Sequence, residues 1–212
     1  MIFQRWKNKK NIENKEEITV ENFIPLNEYY SEMEMKKEYE KIEEKLDFFL
    51  SNKKEIKILT NVKIKGYNMD ALIFSKKGIF ILNVILGSGT LVGEKQDVFF
   101  DHYSTKIGSV KNIFAMISPV ERKVLKSTKR INPYAELVVW KESLKNHKVL
   151  GKYDYNCIVV IDNDIFLSKT LYESQDCVRF LDLIEYINDC DVIYTKEEID
   201  KIYSDFLLLK ED

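Results

Sequence analysis

Residues 79–86, Ile-Phe-Ile-Leu-Asn-Val-Ile-Leu, carry a single polar side chain, Asn83. A run so short, so apolar and so rich in branched residues reads as a strand covered on both faces, central in its sheet. A second strand is predicted at 68–75, and Lys76-Lys77-Gly78 between the two forms a hairpin turn, with glycine supplying the permissive backbone. Upstream, Ile56, Ile58, Val62 and Ile64 alternate with polar residues as a half-buried strand. Downstream, Gly87-Ser88-Gly89 leads into another short strand at Thr90-Leu91-Val92. Together these segments form an antiparallel meander that needs helices to cover it.

Helices are available. From Glu32 to Leu50 the apolar positions Met35, Tyr39, Ile42, Leu46 and Phe49 recur every three or four residues, with Glu and Lys elsewhere, giving one amphipathic face. Val98-Phe99-Phe100 reads as strand, and Ile107 to Lys129 as a stretch containing a helix interrupted by Pro119. Asn132-Pro133 opens a helix, with proline at the first helical position, that continues through Leu137, Val138, Trp140 and Leu144. Cys157 to Ile161 is a short, wholly apolar strand, and Val178 to Ile187 reads as helix. Thr195 with Glu198 makes a capping box for a last helix. The order α-βββ(β)-α-β-α-α predicts an α/β (α+β) domain, a central mixed sheet with an antiparallel hairpin flanked by helices. Residues 1–31 read as a partly ordered N-terminal arm with Ile2, Phe3 and Trp6 available for docking, and 32–212 as a single domain with C-terminal helices.

Composition narrows the function. The 212 residues are 45% hydrophobic with a formal net charge of −2, so the chain can bury a core and has no global basic field for a polyanion. Its only arginines are Arg5, Arg122, Arg130 and Arg179, and arginine is the better bidentate phosphate clamp. Cys157, Cys177 and Cys190 lack C-x-x-C spacing and read as reduced thiols of a cytoplasmic protein. Two histidines, His102 and His147, exclude a histidine-rich zinc site. No secretory signal and no membrane span is expected.

One constellation carries chemistry. A metal-dependent phosphodiesterase needs hard oxygen ligands for Mg²⁺ and a cation to support developing charge. An Asp on one strand, with an acid-x-Lys pair on its neighbour, converges on one face of a sheet, because alternate strand residues point the same way. Asp70 stands in the first position here, but the partner positions hold Asn83 and Ile85. The stretch resembles the core of the nuclease-related domain (NERD) family, of the PD-(D/E)xK restriction-endonuclease-like superfamily. The matching pieces are Met69-Asp70-Ala71-Leu72-Ile73, Ser75-Lys76-Lys77-Gly78-Ile79-Phe80 and Gly89-Thr90-Leu91-Val92-Gly93. Asn132-Pro133-Tyr134-Ala135-Glu136 is similar to the family's Asn-Pro-x-x-Gln helix opening, with Glu136 where glutamine is usual. The resemblance spans roughly residues 38–165.

On that resemblance Asp70 falls on the first metal ligand, Asn83 on the lost acid and Ile85 on the lost lysine. An amide offers one neutral oxygen and isoleucine none, so a vestigial centre is expected, kept for binding DNA or a protein partner. No cofactor is then needed; an active form would use Mg²⁺ and a migrated acid. Glu136 is the leading candidate, with Glu40, Glu44 and Glu94 behind it and Lys63 as a replacement cation. A nucleic-acid surface would be built from Lys123, Lys126, Lys129 and Arg130, the one basic cluster. Phe99, Phe100 and Tyr103 read as core, Gly87-Ser88-Gly89 as turn, and His102 with Ser104 lacks triad context.

Overall fold

The computed structural model describes residues 32–50, 55–94, 97, 99–105, 124–168 and 177–210. The N-terminal arm at 1–31, Pro119 and Lys123 lie outside them. The sequence order is largely kept. Helix α1 (Glu32–Leu50) precedes strands β1 (Lys57–Ile64), β2 (Tyr67–Ser75) and β3 (Gly78–Ile85), then β4 (Gly89–Val92) and β5 (Phe99–Thr105). Strand β6 (Val124–Ile131) leads into α2 (Pro133–Lys145), followed by β7 (Tyr155–Ile161), β8 (Ile165–Leu167) and β9 (Cys177–Arg179). Two helices close the chain, α3 (Leu183–Asp189) and α4 (Lys196–Leu209).

The principal sheet has the order β1-β2-β3-β7-β9. β1, β2 and β3 pair antiparallel, while β3–β7 and β7–β9 are parallel, so the sheet is mixed. All eight residues of β3 are buried, as its near-continuous apolar sequence demands of a central strand. Gly78 closes the β2–β3 turn at φ +146°, where a Cβ would come within 2.8 Å of Asn156 Nδ2. One face of the sheet packs against Leu137, Trp140 and Leu144 of α2 and Ile199, Ile202 and Phe206 of α4. The other receives Ile42, Leu46 and Leu50 of α1 with Leu183 and Ile187 of α3. The result is a three-layer α/β/α body, which is the mixed sheet with flanking helices that the pattern predicted.

Three features differ from the sequence expectation. Val124–Ile131 is strand rather than helix; it pairs antiparallel with β5 from Phe99↔Ile131 to Thr105↔Val124, in a second sheet ordered β6-β5-β4-β8. Tertiary pairing overrides the local reading there. Val178 lies not in a helix but in the edge strand β9, held beside β7 through Val160↔Val178, and α3 starts only at Leu183. The short β8 pairs in parallel with β4, Thr90 against Phe166. Thr195 caps α4 as read, its hydroxyl accepting from Glu198 N at 3.2 Å while Glu198 returns a carboxylate to Thr195 N at 2.8 Å.

The N-terminus of α2 matters for the site because it aims Glu136. Asn132 is fully buried, and its Oδ1 accepts from Tyr134 N at 2.9 Å. Its Nδ2 donates to the carbonyls of Asp97 and, at 3.4 Å, Glu94. Removing the side chain uncaps α2 and leaves buried groups unsatisfied. Asn132→Ala is therefore expected to cost about 2 kcal/mol in urea denaturation, and Asn132→Asp, which keeps the cap but buries a carboxylate oxygen against two carbonyls, at least as much. Equal stability of the alanine variant and wild type would remove Asn132 from this role.

Candidate active site

Asp70 sits where β2 is opened on both sides. Toward β1, the ladder pairs Thr60 with Ala71 and Val62 with Met69 but skips Asn61 and Asp70, and Asn61 takes a left-handed φ of +48°. Toward β3, the ladder ends at Ala71↔Leu82, so Asp70 and Asn83, next in register, do not pair. The carboxylate fills the gap. Asp70 Oδ2 accepts from the backbone N–H of Val84 at 2.7 Å, a group the splayed strands would otherwise leave unpaired. Asp70 is nonetheless 7% exposed, deep enough for desolvation to dominate its chemistry.

Asn83 does not satisfy Asp70 across the hairpin. Fully buried on β3, it donates from Nδ2 to Glu136 Oε2 of α2 at 2.8 Å. Glu136 itself is 1% exposed, in the first turn of a helix that Asn132 and Pro133 open. Each partner keeps one buried oxygen without a hydrogen bond, Asn83 Oδ1 and Glu136 Oε1. Buried polar atoms are rarely left so, and two on one bonded pair next to a second buried carboxylate, Asp70, mark a place built for something besides packing.

The electrostatics agree. Burial, partly offset by the Val84 N–H, pushes Asp70 up to about 7, with Glu38 adding to the rise and Arg130 opposing it. Glu136 is pushed up to about 8, first by burial and then by the Asp70 charge, with Arg130 and the Asn83 amide opposing. Both carboxyls are thus held above the usual carboxylate range by burial, and they titrate as a coupled pair. The half-buried Tyr39 is held protonated by burial and by Asp70, Glu38 and Glu136 in turn. Arg130, half-buried on β6, thus acts on both carboxylates, and its Nε is buried without a hydrogen-bond partner.

The other expected residues are scattered. Ile85 is fully buried in the apolar cluster with Leu91, Leu137, Ile161 and Ile165, so no polar group occupies the lysine position. Glu40 and Glu44 are exposed on α1, and Glu94 is exposed beyond β4. Lys63 stands on the edge strand β1 opposite Asn68. Lys126 and Lys129 are on β6 with Arg130, while Lys123 is outside the described residues. No disulfide joins the half-buried Cys157, Cys177 and Cys190. Sequence reasoning missed Glu38 and Tyr39 as neighbours of the centre, because on an amphipathic helix one looks solvated and the other like core. It also missed Asp162, which follows β7 and accepts from Lys45 Nζ of α1 at 2.7 Å and from Gly87 N at 3.1 Å, tying the segment after β3 to the segment after β7.

A divalent cation of the hard class takes oxygen ligands, and the two orphaned oxygens beside Asp70 are of that type. Among the described residues, no group of three or more His, Cys, Asp or Glu is placed to hold a metal. Among them too, no helix is long and apolar enough to cross a membrane. No curated protein and no solved structure matches the chain. The family model of the nuclease-related domain matches residues 38–161, from the turn of α1 that carries Glu38 to the end of β7. That span holds Asp70, Asn83, Ile85 and Glu136 in one frame, and the chain belongs to the nuclease-related domain (NERD) family.

Proposed function

We propose that the chain is a nucleic-acid-binding protein of nuclease fold whose phosphodiester hydrolysis is impaired. The observation that carries this reading is Ile85, fully buried where an acid-x-Lys strand would present its lysine. A phosphoryl-transfer centre without a cation at that point loses stabilisation of the charge that develops on the reacting phosphate. Arg130, whose charge reaches both carboxylates, comes from another strand and is the candidate for contact with a phosphate held near Asp70. Mg²⁺, when bound, supplies Lewis-acid polarisation of a phosphoryl oxygen. Asp70 positions the site from β2 and, through Val84 N, fixes its distance to β3. The protein works in the cytoplasm on this reading, with DNA as its partner. A second reading, an active nuclease with a migrated acid, is supported by the Asn83–Glu136 bond.

Labelled single- and double-stranded DNA, titrated at several salt concentrations, tests the proposal. Binding that weakens steeply with salt, with no Mg²⁺- or Mn²⁺-dependent cleavage, is expected. Cation-dependent cleavage abolished by Asp70→Ala would overturn the impairment, and no binding even at low salt would leave a protein-interaction module instead.

A further inference from the structure

Nuclease-fold chemistry asks for a carboxylate on β3, and this chain has an amide there. The helix facing that strand has a carboxylate where the family resemblance places an amide. The two side chains touch, Asn83 Nδ2 to Glu136 Oε2 at 2.8 Å. We propose that the two positions have exchanged chemistry, so that α2 supplies the second carboxylate of a divalent-cation site and β3 its neutral oxygen. The ligand set is then Asp70, Glu136 and Asn83 Oδ1. This deepens the functional reading above and rests on it for the nature of the ligand.

Three observations support the exchange. Charge is available: once a bound cation favours ionisation, Asp70 and Glu136 would provide two negative charges, as an intact pair of acids on β2 and β3 would, although one now comes from a helix. Oxygens are available: Asn83 Oδ1 and Glu136 Oε1 are buried and accept from nothing, while the bond that joins their residues fixes both side chains. Such a fixed pair is preorganised for a ligand that accepts no hydrogen bond and needs hard donors, which describes Mg²⁺ or Mn²⁺. The placement is also rigid. Asn83 is on the central strand, and Glu136 follows a cap in which Asn132 is held on three backbone groups. An apolar pair would pack these positions at lower cost, so an unsatisfied acid–amide pair needs a reason beyond folding.

Calorimetric titration of the full-length protein with Mn²⁺ and with Mg²⁺, without nucleic acid, tests the exchange. The wild type binds one cation, Glu136→Gln and Asp70→Asn each weaken it by about tenfold or more, and Glu136→Asp retains part of the affinity. The decisive variant is the double substitution Asn83→Asp with Glu136→Gln, which returns the acid to β3 and the amide to α2. It is expected to bind within a few-fold of wild type and to remain dependent on Asp70. Wild-type affinity in Glu136→Gln, or no recovery in a double variant that melts as cooperatively as wild type, would overturn the proposal. Nucleic-acid binding measured separately in chelator reports on the functional reading alone, so its failure and the failure of the exchange are distinguishable.

Discussion

Above about pH 8, the Glu136→Gln protein is expected to be more stable than wild type by a few kcal/mol, and near pH 4 the difference disappears. The sign follows from which state holds the proton. Burial and the Asp70 charge raise Glu136 from an ordinary carboxyl value to about 8, so the folded protein keeps a proton that the unfolded chain has released. Between the unfolded value and about 8, each rise in pH favours the unfolded state, and above it the full cost of a buried charge is present. Asp70, raised to about 7 by burial, adds the same trend over a slightly lower window. Glutamine keeps the acceptor for Asn83 Nδ2 and carries no charge, so the variant keeps only the Asp70 part of the trend. Melting curves at several pH values measure this directly, and a wild type that gains stability from pH 5 to 8 relative to the variant contradicts it. Bound cation should reverse the trend, since it favours the ionised carboxylates, so chelator is needed in these melts.

Ile85→Lys is expected to destabilise the protein by several kcal/mol and to confer no cleavage. Restoring the lysine of an acid-x-Lys strand looks like a repair, but Ile85 is fully buried in the cluster formed with Leu91, Leu137, Ile161 and Ile165. A lysine there is forced to ionise without water or to give up its proton. Ile85→Met, which preserves volume, should cost about 1 kcal/mol and separates packing from charge. A lysine variant that keeps wild-type stability and cleaves DNA with Mg²⁺ would show that only the residue identity was missing. The physical difference is that the surroundings of position 85 are those of an apolar core.

The sheet and its site were not equally legible in the sequence. The β2–β3 hairpin, α1, the Asn132-Pro133 helix opening and the Thr195 capping box rest on local patterns, and each was found where the pattern placed it. The second sheet was not, because β6 is fixed by pairing with β5 rather than by its own alternation, and the three-residue β9 is held by β7. The same division runs through the centre. Asp70 and the losses at Asn83 and Ile85 are visible as residue types at fixed spacing. That Asn83 turns to Glu136, and that Asp70 takes the Val84 N–H, depends on α2 lying across β3 and on strands that part at Ala71↔Leu82. Glu136 was a candidate among several acids, and its burial and its bond from Asn83 separate it from the exposed Glu40, Glu44 and Glu94. Arg130 was assigned to a basic surface on its neighbours' charge, whereas its reach to both carboxylates comes from β6 entering α2 through Asn132.

The exchange between β3 and α2 is tested most directly by the position of a bound cation. Anomalous scattering from crystals of the wild-type protein grown with Mn²⁺ locates the ion without reference to any activity. The prediction is a single strong peak within coordination distance of Asp70, Glu136 and Asn83 Oδ1. A peak bound by Asp70 but beyond coordination distance of Glu136, or a peak at another site, would contradict it.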